Sequence, residues 1–280
     1  MTFTIDLAGR RALVTGGGQG IGRATAHALA AAGASVVVND VVAERAEAAA
    51  DEIRSGGGGA ETAAFDVTDG RAVRAAIAGL GGVDILVNNA GNAGTEGFTA
   101  LVPFADTDPD TWDRFLRVNL YGVMYCTHAA LPPMIAKGEG RIVTIVSDAG
   151  RFGDAYLAPY AAAKAGAAGF CRSVAREVGR HGITVNCVSL GTVRTPTATG
   201  NSEPNAPDEP GDQNAEPGDQ NGEPGDQNGE AASSRLGRYI IRRRGEPADV
   251  AAMVTYLASP LASWITGQTY PVNGGYTLSL

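Results

Sequence analysis

Cysteine, histidine and aromatic residues are scarce in this 280-residue chain. It has three cysteines and three histidines, and only 6% of its residues are aromatic. Cys126, Cys171 and Cys187 lie far apart, without the spacing of a metal site or a disulfide framework. We therefore expect no metal, and we expect each cysteine to be a small buried side chain in a reducing compartment.

Long apolar runs and broad basic surfaces are missing as well. No run approaches the ~20 apolar residues that a membrane-spanning helix needs, and Met1–Asp6 does not resemble a signal peptide. Basic residues do not alternate with aromatics over one face, which argues against nucleic-acid binding. These observations predict a cytoplasmic protein with neither a membrane nor a nucleic-acid partner.

The net charge of −8 comes from one segment, residues 199–234, which holds nine of the 30 acidic residues and no basic one. The remaining chain has 21 acids against 22 bases. Residues 209–229 consist of three seven-residue repeats, each beginning Glu-Pro-Gly-Asp-Gln-Asn. A segment without large apolar side chains cannot build a core, so we expect 199–234 to be a disordered insertion. It either pairs transiently with the five arginines of 235–244 or remains independently solvated.

Strand-like apolar runs alternate with helical patterns along the rest of the chain. Continuous Val, Ile and Leu runs indicate strands buried on both faces, and strand–helix alternation indicates a parallel, doubly wound α/β sheet. The predicted strands are 12–15, 35–39, 60–65, 83–88, 141–146, 183–189 and 269–272. The predicted helices are 20–32, 41–55, 68–79, 110–136, 158–181 and 247–258.

A glycine-rich turn joins the first strand to the first helix. Such a turn lets the backbone approach a pyrophosphate at the helix N-terminus. Asp40 ends the second strand, where a carboxylate would accept hydrogen bonds from ribose hydroxyls and repel a 2′-phosphate. The alternative interpretation is that Asp40 caps the next helix. Since Gln19 and Val41 offer no positive charge, NAD is favoured over NADP. The predicted contacts in this turn are Gly16, Gly18, Gln19, Gly20, Ile21 and Gly22.

Further candidates follow the later strands. Asp66-Val67 stands where an adenine edge would lie, unless Asp66 caps the next helix. In Asn88-Asn89-Ala90-Gly91, small residues allow close approach to a cofactor and the amides can pin neighbouring strands. Asn119 is an unusual residue for a helix interior and suggests a kink that holds a water.

Tyr160 and Lys164 are four residues apart, so they share one helix face. A neighbouring ammonium group favours the phenolate and lowers the pKa of a tyrosine, which makes this pair a candidate general acid/base. Ser147 ends the fifth strand, at the edge where open α/β sheets bind ligands.

With these motifs in this order, the chain resembles the short-chain dehydrogenase/reductase family, from residue 7 to residue 276 apart from the insertion. It is most similar to the single-domain branch of 3-oxoacyl-thioester reductases and secondary-alcohol dehydrogenases. The resemblance implies one Rossmann-type domain over 1–280, with about seven strands, and a homotetramer or homodimer that pairs the small-residue helix after Tyr160.

The resemblance also implies the role of each residue. Tyr160 would be the general acid/base, Lys164 would bind the nicotinamide ribose, Ser147 would bind the substrate oxygen, and Asn119 would anchor a water that links Lys164 to solvent. The loop after the sixth strand would contact the nicotinamide amide through Gly191, Val193 and Thr195. The predicted cofactor contacts beyond the turn are Asp40, Asp66, Val67, Asn89, Ala90, Gly91, Tyr160, Lys164, Gly191, Val193 and Thr195.

Two departures from the family stand out. Leu190 replaces a frequent proline, which predicts a looser turn, and the insertion falls in the substrate-covering lid. Between Ser147 and Tyr160, Arg151 either meets an acidic substrate or is a plain surface residue.

The sequence therefore favours an NAD-dependent oxidoreductase acting on a secondary alcohol or its ketone. The alternatives are an NADP-dependent 3-oxoacyl-thioester reductase and a dinucleotide-binding protein without catalysis.

Overall fold

A computed structural model of the chain describes residues 4–91, 102–194 and 239–278. Its seven strands form one sheet in the order β3-β2-β1-β4-β5-β6-β7, and every neighbouring pair is parallel. This confirms the predicted fold class. The strands are β1 (Arg11–Val14), β2 (Ser35–Val38), β3 (Ala60–Thr62), β4 (Ile85–Asn88), β5 (Gly140–Ser147), β6 (Ile183–Leu190) and β7 (Thr269–Val272).

Eight α-helices connect the strands within the described residues. They are α1 (Gly20–Ala31), α2 (Ala43–Ser55), α3 (Gly70–Gly79), α4 (Asp113–Leu116), α5 (Gly122–Lys137), α6 (Ala149–Phe152), α7 (Ala158–Val178) and α8 (Pro247–Ala258). In this part of the chain no helix is long and apolar enough to cross a membrane.

Helices cover both faces of the sheet because the strands are apolar on both sides. Val36 and Val38 of β2 pack in one core cluster with Leu29 of α1 and Leu257 of α8. The intervening Val37 belongs to the opposite cluster, together with residues of α3, α5 and α7. Adjacent strand residues point to opposite faces, so each strand contributes to both cores.

Most predicted boundaries differ from the structure by three residues or fewer, and two differences concern the site. The third strand ends at Thr62 rather than at residue 65. The long helix predicted over 110–136 is interrupted by one π-helical turn, Arg117–Tyr121, between α4 and α5. This turn contains Asn119, the residue that the sequence marked as a poor helix former.

Asp66 does not cap the third helix. Asp69 caps it, accepting hydrogen bonds from the backbone N–H groups of Arg71 and Ala72. The side chain of Asp66 instead accepts from the N–H of Thr68 at 2.8 Å. Asp40 likewise precedes the cap of α2, which is Val42.

The direction of chain progression reverses between β1 and β4, because β2 and β3 lie on one side of β1 and β5 to β7 lie beyond β4. Ligands of open parallel sheets bind at the carboxyl ends of the strands beside such a reversal. The glycine turn follows β1, Asp40 follows β2, and Ser147 ends β5, so the candidate residues gather at this edge.

Candidate active site and dinucleotide cleft

The glycine turn has the backbone conformation that glycine provides most easily. Gly16 and Gly20 have positive φ angles of 61° and 53°, in the left-handed region that side chains disfavour. Gln19, at the N-cap of α1, makes no capping hydrogen bond through its side chain. The first N–H groups of α1 are therefore not satisfied by a side-chain cap, which suits an anion at this helix end.

Two glycines of the turn are also required by close packing. A Cβ atom at Gly22 would lie 2.1 Å from the carbonyl oxygen of Gly16, and one at Gly18 would lie 2.8 Å from an Asp40 carboxylate oxygen. The turn thus runs directly against the acid at the end of β2. The turn, the α1 N-terminus and Asp40 therefore lie side by side, and they are the residues that could hold the pyrophosphate and ribose of a dinucleotide.

Asp40 is buried, and its carboxylate has a partner that the sequence did not suggest. Arg45 donates to Asp40 Oδ1 from Nη2 at 2.7 Å and from Nε at 3.2 Å. The N–H of Val42 donates to the same oxygen at 3.0 Å. Gln19 and Val41 offer no positive charge, but Arg45, which the prediction from sequence left out, places one against this acid. Arg45 lies in the first turn of α2, five residues after Asp40, and this short separation was the signal that could have identified it.

The amides after β4 pin the neighbouring strands, as expected. Asn89 Nδ2 donates to the carbonyl oxygens of Thr15 and Gly16 at 2.9 and 3.0 Å. Asn88 Nδ2 lies 3.2 Å from Thr127 Oγ1 and 3.3 Å from Thr144 Oγ1. Asn89 therefore fixes the glycine turn itself, whereas Asn88 joins β4 to α5 and β5.

Val67 is buried, and its side chain packs against Gly122, where an added Cβ would meet Val67 Cγ2 at 2.9 Å. Only the backbone of Val67 is thus available for an adenine edge, and the adenine contacts of Asp66 and Val67 remain predictions.

Asn119 is fully buried in the π-helical turn, and its Nδ2 donates to the carbonyl oxygen of Phe115 at 3.0 Å. Gly91 lies between Asn119 and Lys164. A Cβ atom at Gly91 would be 3.0 Å from Asn119 Oδ1 and 3.2 Å from Lys164 Nζ. The helix is therefore irregular at Asn119, and the Asn119 amide and the Lys164 ammonium group both border Gly91. The water expected at this position stays a prediction.

Ser147, Tyr160 and Lys164 lie together at the junction of β5 and α7. Ser147 Oγ accepts a hydrogen bond from the N–H of Ala149 at 3.2 Å and shares another with Tyr160. Lys164 Nζ lies 5.8 Å from the centroid of the Tyr160 ring and donates to the carbonyl oxygen of Ile145 at 2.9 Å. The structure thus brings all four predicted catalytic residues, Asn119, Ser147, Tyr160 and Lys164, into one cluster.

The pKa of Tyr160 shifts in the direction opposite to the one predicted from its spacing to Lys164. Burial raises the pKa of Tyr160, the hydrogen bond with Ser147 opposes this, and the charge of Asp154 adds to the increase. Burial lowers the pKa of Lys164 to about 8. The protein on its own therefore does not lower the pKa of the phenol, contrary to the prediction from spacing, because the same burial that surrounds Tyr160 also disfavours the charged form of Lys164.

Of the three residues predicted to contact the nicotinamide, Gly191 and Val193 lie in the described part of the loop after β6, and their contacts with the nicotinamide stay predictions. Gly191 packs against Tyr239 and Asn273, where an added Cβ would lie 3.2 and 3.3 Å from their side chains. Val193 forms a parallel bridge with Gly245. The turn after Leu190 is held by the N–H of Thr192, which donates to the Tyr239 hydroxyl at 2.9 Å, rather than by a proline. Thr195 and the repeat insertion, 199–234, lie outside the described residues.

The segment between Ser147 and Tyr160 carries exposed aromatic side chains. Phe152 and Tyr156 are each about half exposed, and Tyr156 has a positive φ of 69°, which is rare for a bulky residue and typical of functional loops. Arg151 lies over the Phe152 ring at 4.9 Å and pairs with Asp148 at 3.4 Å. Arg151 is therefore a partly buried, ion-paired residue, and its contact with an acidic substrate stays a prediction.

Comparison with known proteins agrees with this geometry. A model of the family described as short chain dehydrogenase matches residues 10–206, and one described as enoyl-(acyl carrier protein) reductase matches residues 222–277. The chain belongs to the short-chain dehydrogenase/reductase family. As a member of this family, it is an NAD(P)-dependent oxidoreductase that acts on an alcohol or ketone.

Similar members of the short-chain dehydrogenase/reductase family span nearly the whole chain. The short-chain reductase protein NovJ of Streptomyces niveus is 39% identical over 94% of this chain and 92% of its own length. A 3-oxoacyl-[acyl-carrier-protein] reductase of Vibrio cholerae is 34% identical over 97% and 98%, respectively. The crystal structure of a gluconate 5-dehydrogenase from Burkholderia cenocepacia, in complex with NADP and tartrate, has a TM-score of 0.82 at 32% identity, covering 98% of each chain.

Proposed function

We propose that this protein is an NAD-dependent dehydrogenase that oxidises a secondary alcohol, or reduces the corresponding ketone, with Tyr160 as the general acid/base. The observation that carries the proposal is the buried cluster of Ser147, Tyr160 and Lys164, which lies at the same sheet edge as the glycine turn. The glycine turn and Lys164 would hold the dinucleotide, whose nicotinamide would supply the hydride chemistry when bound.

In this mechanism Tyr160 takes the proton of the alcohol hydroxyl, or returns it to the forming alkoxide. Ser147 holds the substrate oxygen through its hydroxyl, so the same oxygen is fixed from two sides. A catalytic acid/base works best with a pKa near the working pH, whereas burial raises the pKa of Tyr160. The phenolate then needs further stabilisation, which the Lys164 ammonium group and the positive charge of an oxidised nicotinamide, when bound, would supply.

Lys164 performs two tasks. Its ammonium group binds the ribose hydroxyls on the nicotinamide side, and it passes the proton of Tyr160 towards solvent. Asn119 and Gly91 border the other side of Lys164. With a pKa of about 8, Lys164 exchanges protons readily near neutral pH, and a water held at the π-helical turn would complete the path.

The preference for NAD rests on Asp40. Its buried carboxylate lies against the glycine turn, where the ribose hydroxyls of NAD would donate to it, whereas a 2′-phosphate would face a negative charge. Arg45 weakens this discrimination because it already neutralises part of the carboxylate charge and can turn towards a phosphate. We therefore expect measurable turnover with NADP as well, but slower turnover than with NAD.

An NADP-dependent 3-oxoacyl-thioester reductase is the second candidate. The similarity to the Vibrio cholerae enzyme, over 97% of this chain, supports it. Initial rates with both cofactors, on a panel of secondary alcohols, ketones and a 3-oxoacyl thioester, separate the two. A preference for NADPH of about tenfold or more, with the thioester as best substrate, would replace the first proposal.

We also propose that the protein assembles as a homotetramer or homodimer through α5 and α7. The outer face of α7 presents the small residues Ala162 and Ala165, and small residues allow close helix contact. On α5 and the turn before it, Tyr121, Met124 and Tyr125 are each exposed by more than a third. Burying such apolar side chains against a second copy would stabilise the assembly.

The remaining predictions concern chain organisation and location. We propose that residues 1–280 form one domain and that the protein is cytoplasmic. We also propose that residues 199–234 are a disordered insertion in the lid. Limited proteolysis tests the proposal for residues 199–234, since a disordered insertion is cut before the folded chain.

A further inference from the structure

Asp148, the residue directly after Ser147, is a buried acid with an unusually complete set of partners. Its side chain is only 2% exposed. One oxygen, Oδ1, accepts from the hydroxyl of Ser189 and lies 3.4 Å from Arg151 Nη1. The other, Oδ2, accepts from Asn273 Nδ2 at 2.6 Å and from Thr277 Oγ1 at 2.7 Å.

The partners on Oδ2 come from a separate part of the chain, the C-terminal segment 273–277. Asn273 orders this segment: its Oδ1 accepts from the N–H of Gly275 at 3.0 Å, and its Nδ2 also lies 3.1 Å from the carbonyl oxygen of Thr277. Gly274 and Gly275 both have positive φ angles, 59° and 77°, which turn the chain back so that Thr277 reaches Asp148.

The turn that Asp148 fixes is the one that presents Ser147. The N–H of Asp148 donates to the carbonyl oxygen of Leu190 at 3.0 Å, which continues the pairing of β5 with β6 by one residue. The next N–H, from Ala149, donates to Ser147 Oγ itself. Rotation of this peptide turn would therefore move the Ser147 hydroxyl.

Burying a carboxylate is costly unless its oxygens are well satisfied, and here hydrogen bonds to four side chains hold it. Such a charge-assisted network has a defined geometry and resists small displacements. An apolar residue at position 148 would lack these hydrogen bonds and would not tie this turn to β6 and to the C-terminal segment.

We infer that Asp148 is a positioning residue for Ser147, and that the C-terminal segment, through Thr277 and Asn273, holds Asp148 in place. This inference rests on the proposed function, in which Ser147 binds the substrate oxygen. Removing the Thr277 hydroxyl should loosen the turn, weaken the hydrogen bond between Ser147 and Tyr160, and lower kcat without changing cofactor affinity.

The test uses the full-length protein with Thr277→Val, and Thr277→Ser as the conservative variant. Thr255→Val is the matched control, because Thr255 is a buried threonine whose hydroxyl donates within α8 to the carbonyl oxygen of Ala251. The ¹³Cζ resonance of Tyr160, assigned by its loss in Tyr160→Phe, reports the hydrogen bond with Ser147 and needs no substrate.

We expect Thr277→Val to move this resonance in the same direction as Ser147→Ala, and to add no further shift in the double variant Ser147→Ala/Thr277→Val. Thr277→Ser and Thr255→Val should leave it in place. On an alcohol from the substrate panel, Thr277→Val should lower kcat roughly 10- to 100-fold, with the NAD⁺ dissociation constant within about twofold of the unchanged protein.

The inference would be overturned if Thr277→Val left the Tyr160 resonance unmoved. It would also be overturned if Thr277→Val shifted the resonance equally in the unchanged protein and in Ser147→Ala. If instead no alcohol or ketone is turned over by the unchanged protein, the proposed function fails while the resonance experiment still decides whether Thr277 positions Ser147. Asp148→Asn, if it folds, should move the resonance in the same direction as Thr277→Val.

Discussion

Lys164 Nζ donates a hydrogen bond of 2.9 Å to the carbonyl oxygen of Ile145, two residues before Ser147. This bond joins α7, which carries Tyr160, to β5, which carries Ser147. The side chain that makes it is the one that lies beside the phenol ring. Lys164 is thus a structural link as well as the proposed ligand of the ribose.

Tyr160→Phe should abolish turnover while retaining cofactor binding. Losing a positioned general acid/base lowers kcat by roughly 10²- to 10⁴-fold, whereas the ring that lies beside Lys164 is preserved. Steady-state kinetics and NADH fluorescence titration measure the two effects. Tyr256→Phe, on α8, is the control and should behave like the unchanged protein. Substantial activity in Tyr160→Phe would contradict the mechanism.

Lys164→Met should make the protein more stable at neutral pH, although inactive. Because the folded-state pKa of about 8 lies below the ordinary value of 10.5, the unfolded chain binds more protons between these values. The free energy of unfolding should therefore rise as the pH increases through this window, and below it the buried charge should cost roughly 3 kcal/mol.

Denaturant unfolding between pH 7 and about pH 9.5, below the ordinary pKa of tyrosine, measures this slope. Lys164→Met should lose most of this pH dependence, and its free energy of unfolding at pH 7 should be higher than that of the unchanged protein. The loss of the hydrogen bond to Ile145 should reduce this gain by about 1 kcal/mol. Lys137→Met, which removes an exposed lysine that pairs with Asp84, should keep the slope. An identical slope in Lys164→Met would show that Lys164 is not the group responsible.

Asp40→Ser should shift the cofactor preference towards NADP. It removes the negative charge that faces a 2′-phosphate and releases Arg45 from its ion pair, so the ratio of kcat/KM for NADP to that for NAD should rise roughly 10- to 100-fold. The double variant Asp40→Ser/Arg45→Ala should show a smaller rise because it lacks the cation. Equal ratios in the two variants would exclude Arg45 from cofactor selection.

Ala165→Glu should weaken self-association. Ala165 lies on the exposed small-residue face of α7, and a second copy packed there would bury the new carboxylate without a partner, which is strongly unfavourable. Light scattering after size-exclusion chromatography should show smaller species than for the unchanged protein. Ala48→Glu, on an exposed position of α2, should leave the assembly intact. The same assembly in Ala165→Glu would place the interface elsewhere.

The sequence predicted the strand–helix alternation and the cluster of Asn119, Ser147, Tyr160 and Lys164 because these features depend on local periodicity and on the common edge of parallel strands. It missed Arg45 because the partner of Asp40 follows from the path of α2, not from the residues adjoining the acid. The direction of the Tyr160 pKa shift was predicted wrongly. Helix spacing reports the neighbouring Lys164 charge, which lowers the pKa, but not the burial of Tyr160, which raises it. The anchoring of Asp148 was not predicted, because its partners Asn273 and Thr277 are 125 and 129 residues away.

That separation has a consequence for the order in which the site is completed during synthesis. β5, β6 and α7 all leave the ribosome before Asn273 and Thr277. Until then, Ser189 and Arg151 are the available side-chain partners of the Asp148 carboxylate. A nascent chain can therefore carry every proposed catalytic residue while the turn beside Ser147 still lacks two of the four side-chain partners of Asp148, and Asn273 and Thr277, which are translated later, complete the set.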